Sequence, residues 1–296
     1  MELLVTLSNV NLLNKYTKDN VDGLVFGGPL SLRFNYSLNE IETINEYCLK
    51  ENLKRYVTID AFISEYDRVL VNDYLEFLKK LDIDGIYFTD LGIINVAAGL
   101  DLKNKLIYDP DTLLTNSLDV NFFLRQGIGT VLARELSFDE VKDILEKNPS
   151  KCDMQIFGHL KMSYSKRQFM TNYFKHIGKD VDVLNKRSIR LVEENRNYEL
   201  PIIEDKYGTR IYSDYVLLMY KEYLQLKPLL KRAIVDDTFI EKNELVLAVL
   251  RDYKRVSSMN TEFLEENITA LYNNISFSNG YLSNKTSKVK EETNED

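Results

Sequence analysis

The chain has 296 residues, of which 44% are hydrophobic and 28% charged, and its formal net charge is −8. This length and apolar content suffice for one large barrel core, whereas Cys48 and Cys152 are too few for a disulfide framework. Together with two histidines, they also leave a structural zinc site or a cysteine-ligated iron–sulfur cluster short of ligands. The sequence shows neither an apolar stretch of membrane-spanning length nor a signal segment, so we predict a cytoplasmic protein with no membrane partner.

Short apolar strands alternate with helical patterns seven times in the first 160 residues. The strands are predicted at residues 2–7, 23–26, 55–59, 85–88, 105–108, 130–133 and 153–157. Their richness in Val, Ile, Leu, Tyr and Phe is typical of parallel strands covered on both faces. We therefore predict an α/β protein with a TIM-like (β/α)8 barrel, and keep an open doubly wound sheet as the alternative.

Capping-box patterns predict where helices begin. They occur at Ser37 to Glu40, Ser137 to Glu140 and Thr238 to Glu241. Another helix is predicted over 67–81, where apolar residues recur at helical spacing.

The alternation stops after residue 159. We predict an irregular basic insertion over about 160–212, which ends in a hairpin at 198–212 with Gly208 in its turn. A helix over 213–226, an eighth strand over 229–235 and helices near 238–254 and 261–275 complete one barrel domain over 1–282. The polar tail 283–296 is predicted to be disordered.

Polar side chains follow the predicted strands. In a parallel barrel the carboxyl ends of the strands meet at one face, where such folds build their sites. A guanidinium at this face binds carboxylates. Carboxylate or hydroxyl side chains there bind either a metal ion or the hydroxyl groups of a ligand. The substrate-binding candidates are Arg33, Asp60, Asp90, Asp111, Thr112 and Arg134. Helix capping is the alternative for Asp90 and Asp111, and rim salt bridges are the alternative for Arg134.

Two further strand-end residues are candidates for proton transfer. Glu135 directly follows Arg134, and His159 follows the seventh strand after a glycine. A carboxylate and an imidazole in these positions can act as acid or base. Structural ion pairing of Glu135 and a backbone hydrogen bond to His159 are the alternatives.

The segment 161–190 is strongly basic. It holds eight Lys or Arg against two acids, a local charge of +6 in a chain whose remainder carries −14. Cations interleaved with aromatics suit a phosphate backbone and unpaired bases, as in an RNA loop. The RNA-binding candidates are Lys161, Tyr164, Lys166, Arg167, Asn172, Tyr173, Lys186 and Arg187. The alternative is a solvated loop whose aromatics pack under the barrel mouth.

Five segments together resemble the collagenase-like peptidase family U32. Two of them, Glu2-Leu-Leu-Val and Tyr56-Val-Thr-Ile, are generic barrel strands, and three others accompany them. These three are Gly27-Gly28 with Ser31-Leu-Arg33, Val131-Leu-Ala-Arg-Glu-Leu-Ser137, and Phe157-Gly-His with Tyr164-Ser-Lys-Arg167 and Asn172-Tyr173. The resemblance covers roughly residues 1–215 and implies a TIM-like barrel. For function it implies either a protease that acts on collagen or, as in several members, RNA hydroxylation. One bacterial branch serves prephenate-dependent hydroxylation of the tRNA wobble uridine.

The chain departs from this family where members generally carry cysteines, some of which hold an iron–sulfur cluster. Lys161 and Gln168 stand in the matching stretch, and no cysteine follows. The resemblance therefore implies that this chain alone binds no cluster, and we predict no metal site. It further implies tRNA and a small carboxylate such as prephenate as ligands, with a cysteine-containing homologue or a second copy as partner. A collagenase-like peptidase and a non-catalytic scaffold are the alternatives.

Overall fold

The computed structural model describes residues 1–192, 194 and 198–284. These residues form twelve strands: β1 (Glu2–Thr6), β2 (Gly23–Gly27), β3 (Lys54–Ile59), β4 (Gly85–Phe88), β5 (Leu106–Tyr108), β6 (Gly129–Val131), β7 (Cys152–Ser165), β8 (Arg190–Val192), β9 (Glu199–Asp205), β10 (Gly208–Leu218), β11 (Arg232–Val235) and β12 (Phe277–Ser278).

The same residues form nine α-helices: α1 (Leu38–Lys50), α2 (Arg68–Lys80), α3 (Gly92–Gly99), α4 (Ser117–Leu124), α5 (Phe138–Lys147), α6 (Phe169–His176), α7 (Tyr220–Leu226), α8 (Asn243–Arg255) and α9 (Thr261–Leu271). No described helix combines the length and the apolar content needed to cross a bilayer. The tail predicted to be disordered lies mostly outside the described residues, which end at 284.

Eight parallel strands close a barrel. β1 to β7 pair in chain order, and β11 pairs in parallel with both β1 and β7. The register sets Leu4 beside Ile234 and Ala233 beside Met154. Because β11 joins the first and seventh strands, the predicted (β/α)8 barrel is confirmed and the open sheet is excluded.

The core has two layers. Strand residues facing the lumen form a cluster with one member from each barrel strand except β7: Leu4, Val25, Tyr56, Tyr87, Ile107, Val131 and Ile234. The opposite strand faces pack against the helices, and α2 contributes Val71, Leu75 and Leu78 to that layer. The barrel lumen is therefore filled by side chains, and in such barrels the sites lie at the mouth.

The insertion is an antiparallel sheet that extends one wall of the barrel. β7 runs on past the rim to Ser165, and β10 pairs against it from Leu218 opposite Phe157 to Thr209 opposite Ser165. β9 and β8 add to β10 in turn. The predicted hairpin with Gly208 at its turn is confirmed, since β9 ends at Asp205 and β10 begins at Gly208, where φ is +131°.

Two predicted helix starts are wrong. Residues 213–218 continue β10 through a bulge at 213–215, the backbone of 216–218 pairs with β7, and the helix begins at Tyr220. The third capping box also fails: the Thr238 N–H bonds the Asp236 carboxylate at 2.9 Å and Phe239 has φ of +64°, so α8 begins at Asn243. The capping boxes at Ser37 and Ser137 are confirmed.

Candidate functional site at the barrel mouth

Charged side chains that follow five barrel strands, β2, β3, β5, β6 and β11, meet side chains of the insertion at the mouth. We call this group the mouth network, and its members are Arg33, Asp60, Asp109, Asp111, Arg134, Lys161, Arg210 and Asp236. Four cations face four carboxylates, so the network is electrically balanced. Its side chains are almost entirely buried.

One half of the mouth network is built around Arg33 and Asp60. Arg33 donates from Nε to Asp60 Oδ2 at 2.8 Å and from Nη1 to Asp236 Oδ2 at 2.7 Å. Arg210 reaches down from β10, with Nη1 2.7 Å from Asp60 Oδ2 and Nη2 donating to the Asp60 carbonyl. The insertion is thus tied to the barrel by a fully buried arginine.

The other half is built around Arg134. Its Nη1 donates to Asp111 Oδ1 at 2.7 Å and to Asp109 Oδ1 at 3.1 Å, and its Nε donates to Gln155 Oε1 at 2.7 Å. Lys161 pairs with the second oxygen of Asp111. These contacts match the rim salt bridges considered for Arg134, while a role in ligand binding stays a prediction.

The pKa values of the mouth network reflect two opposing effects: burial disfavours the charged form of each group, and an oppositely charged partner favours it. Burial opposes ionisation of Asp60, but the guanidinium groups of Arg210 and Arg33 hold its pKa well below the usual range. Burial lowers the pKa of Lys161 to about 8, and Arg210 and Arg134 act in the same direction against Asp111. Lys161 can therefore change its charge near neutral pH, which the guanidinium groups cannot.

Some buried donors of the mouth have no hydrogen-bond acceptor among the described residues, and two of them matter here. They are the hydroxyl of Tyr212 and Nε of Arg210, both buried. Tyr212 lies within electrostatic reach of Arg210 and Arg33. Since unpaired buried donors are costly, they mark a place where an anionic oxygen would be stabilised.

His159 lies beside the mouth network. Its Nδ1 is 2.7 Å from the Ser213 carbonyl, so Nδ1 carries the proton and Nε2 is an acceptor. Burial lowers its pKa. The backbone hydrogen bond matches the alternative stated for this residue, and the backbone of Tyr215 is a second hydrogen-bonding neighbour of the ring.

The other candidates lie away from the mouth network. Glu135 is exposed, and no hydrogen bond or ion pair joins it to the network within the described ranges. Asp90 accepts from the Gly92 N–H at 2.8 Å at the start of α3, as the capping alternative requires. Thr112 is half-buried in the turn after Asp111. Capping is wrong for Asp111, because α4 begins five residues after Thr112 and Asn116 caps it.

The basic segment 161–190 divides into inward and outward side chains. Three RNA candidates face inward: Lys161 joins the mouth network, the Tyr164 hydroxyl donates to the Tyr207 carbonyl at 2.8 Å, and Arg187 donates to the Arg33 carbonyl. The exposed candidates are Lys166, Arg167, Asn172, Tyr173 and Lys186. RNA contact therefore stays a prediction for these five residues in particular.

Sequence reasoning missed Arg210, Tyr212 and Asp236. Asp236 directly follows the eighth barrel strand and carried the same strand-end signal as Asp60. Arg210 and Tyr212 carried no local signal, because they lie on an antiparallel strand that reaches the mouth only through pairing with β7.

Asp237 beside the network predicts an unusual pH dependence. Burial raises its pKa to about 6, so the folded state holds this proton more tightly than the unfolded chain does. The stabilisation that comes from protonated Asp237 is fully present below the ordinary pKa near 3.8. It is lost as the pH rises through about 6. Asp237→Asn has no such loss, and its stability relative to wild type should increase between about pH 4 and about pH 7 by up to about 3 kcal/mol.

Urea unfolding across this pH range measures the effect. Asp73→Asn, which changes an exposed carboxyl of α2, is the control and should follow the wild-type curve. A constant difference between Asp237→Asn and wild type would show that Asp237 ionises without cost.

The fold and site define a class: a closed (β/α)8 barrel whose mouth is covered by an antiparallel extension of β7 and filled by paired charges. The family model described as Peptidase family U32 matches residues 8–291. The chain belongs to this family.

Related proteins carry two kinds of name. tRNA hydroxylation protein P2 of Bacillus subtilis is 27% identical over 241 residues, which are 80% of this chain and 78% of that protein. tRNA hydroxylation protein P1 of the same organism is 28% identical over 177 residues, 58% of this chain and 42% of that longer protein. A solved U32 peptidase is 17% identical and has a TM-score of 0.50 over 80% of this chain and 92% of the other, a likeness of fold alone.

Proposed function

We propose that this protein takes part in tRNA hydroxylation, namely the prephenate-dependent hydroxylation of the wobble uridine. The observation that carries the proposal is the similarity to tRNA hydroxylation protein P2, which extends over about four fifths of each chain. In this proposal the chain binds no iron–sulfur cluster itself and acts beside a cysteine-containing homologue that carries one. The two cysteines here support that division, because Cys48 and Cys152 are buried in separate elements.

The mouth network supports a small carboxylate ligand. Arg33, Arg134, Lys161 and Arg210 supply four cationic groups, and the Tyr212 hydroxyl is an additional donor without an acceptor among the described residues. A dicarboxylate would exchange with aspartate partners that already neutralise these cations. The exchange replaces a charge-assisted hydrogen bond to an aspartate with one to the ligand. Recognition therefore depends on how well the two carboxylates of the ligand fit the positions of the cationic groups.

The proposal is tested on cellular tRNA. Deletion of the gene should remove the hydroxylated wobble uridine, as measured by nucleoside mass spectrometry, and a plasmid copy should restore it. An unchanged nucleoside in a strain that lacks other routes to it would contradict the proposal. Cleavage of gelatin by the purified protein would favour the peptidase alternative.

Outward cations of the insertion should bind RNA. Replacing Lys166, Arg167, Lys175 and Lys186 with Glu should weaken binding of an anticodon stem–loop more than about tenfold near 0.1 M salt, and should reduce the salt slope by about 3. Arg187 is left intact because it holds the Arg33 carbonyl. Electrophoretic mobility or anisotropy at several salt concentrations measures both quantities.

The matched control reverses four lysines on the opposite face of the barrel. Lys50, Lys79, Lys80 and Lys147 lie in the last turns of α1, α2 and α5, which are at the amino ends of the parallel strands. The net charge changes by the same amount in both variants. If only general repulsion between protein and RNA mattered, both would therefore lose the same RNA affinity. Equal losses would assign the basic segment to another role.

A further inference from the structure

A cavity of about 280 Å³ lies beside the mouth network. Its lining includes His159, Arg190, Asp214, Phe239 and Lys242, and we call it the His159 pocket. Its volume is slightly below that of pockets for drug-sized ligands, so it suits one small group. The pocket is formed where β7, the insertion and the segment after β11 meet.

Phe239 lines the His159 pocket and packs against both His159 and Tyr212. Its ring lies edge-on to His159 at 6.4 Å and to Tyr212 at 5.0 Å. The guanidinium groups of Arg187 and Arg190 lie 5.9 Å and 5.7 Å from the ring centre. With φ of +64°, Phe239 is held in a conformation that bulky residues rarely adopt. Such strain persists where the surrounding structure requires it, and it is concentrated at functional sites.

The polar groups of the pocket suit a neutral ligand. The hydrogen bond from Nδ1 to Ser213 leaves His159 Nε2 as an acceptor. Arg190 pairs with Glu241 at 3.7 Å and Lys242 donates to Asn274 at 3.0 Å, so both cations lie in the cavity with partners that a ligand oxygen would share. The carboxylates of Glu199, Asp214 and Glu241 oppose entry of a phosphate. Uracil presents one imide N–H between two carbonyl oxygens, which complements an acceptor accompanied by cationic donors. Cytosine lacks this N–H and offers His159 Nε2 no donor at the same position.

We propose that the His159 pocket receives a single uracil base extruded from an RNA loop. The inference rests on the proposed function and identifies where the base is bound. The flat guanidinium of Arg190 supplies a stacking surface, and His159 Nε2 accepts from the imide N–H. Phe239, which packs against both His159 and Tyr212, then connects the base site to the mouth network, where the small carboxylate is proposed to bind.

The test uses anticodon stem–loops that differ only at the wobble position, which holds uridine, cytidine or an abasic site. Dissociation constants are measured by fluorescence anisotropy with the full chain near 0.1 M salt. Wild type should bind the uridine RNA roughly tenfold more tightly than the abasic RNA, and more tightly than the cytidine RNA. His159→Ala should remove this preference and leave abasic binding unchanged.

Two further variants complete the design. Lys242→Met changes an exposed side chain and should lower the uridine preference in a protein that remains folded. His176→Ala changes the other histidine, exposed at the end of α6, and should bind all three RNAs as wild type does.

Each remaining outcome overturns the inference. Equal affinity of wild type for the three RNAs excludes a base pocket, and equal loss of all three RNAs in His159→Ala shows a structural role. Absence of RNA binding by the folded chain also rejects the pocket. If the gene deletion still removes the hydroxylated uridine, the proposed function stands and only this inference fails.

Discussion

Replacing Arg210 with Met is expected to lower the free energy of unfolding by about 3 kcal/mol. Arg210 is fully buried, and its guanidinium contacts both the carboxylate and the carbonyl of Asp60. The variant leaves Asp60 buried with Arg33 as its remaining arginine partner. Desolvation of the carboxylate is then only partly compensated, which is the reason for the large effect.

A double-mutant cycle separates pairing from packing. Asp60→Asn combined with Arg210→Met should lose at least about 1 kcal/mol less than the sum of the single variants. Arg255→Met is the matched control, because Arg255 lies 2.7 Å from Asp252 but has a side chain 59% exposed. Its loss should stay below about 1 kcal/mol. Additive losses in the cycle would show that Arg210 acts by filling space.

Gly158→Ala is expected to destabilise the protein by about 3 to 5 kcal/mol. Gly158 has φ of +109°, and a Cβ there would lie 2.2 Å from the Asp236 carbonyl oxygen. The neighbour is backbone that pairs with Phe157, so it cannot move independently of the barrel. Displacing Asp236 would also disturb its 2.7 Å bond with Arg33. Chemical denaturation measures the loss.

Gly127→Ala is the control for backbone strain alone. Gly127 also has positive φ, +79°, but a Cβ there meets no atom within 4 Å. It should cost about 1 to 2 kcal/mol, the usual penalty of a left-handed residue with a side chain. If Gly158→Ala and Gly127→Ala lose equal stability, local backbone movement relieves the clash with Asp236, and the barrel rim is more deformable than its contacts indicate.

The barrel was predictable because its signals are local. Each barrel strand is an apolar run between polar turns, and Ser37 and Ser137 mark helix starts through contacts within four residues. The start of α8 was not predictable in this way, since Asp236 takes the Thr238 N–H and Phe239 turns the backbone. Similarly, residues 213–218 directly precede helix α7 in the sequence, but they belong to β10, whose residues 216–218 pair with β7.

The sequence by itself determined the β-α alternation and which strand ends carry charge, since burial of periodic apolar residues requires that alternation. It identified Arg33, Asp60, Asp111 and Arg134 as residues of one face. Closure of the sheet into a barrel was decided by the pairing of β11 with β1 and β7. Only the tertiary structure decided that these charges neutralise one another, that Arg210 and Tyr212 complete the mouth, and that His159 opens into a separate pocket. The physical reason is that ion pairing depends on distances of a few ångströms between residues far apart in the chain, such as Arg33 and Asp236, and local sequence does not encode those distances.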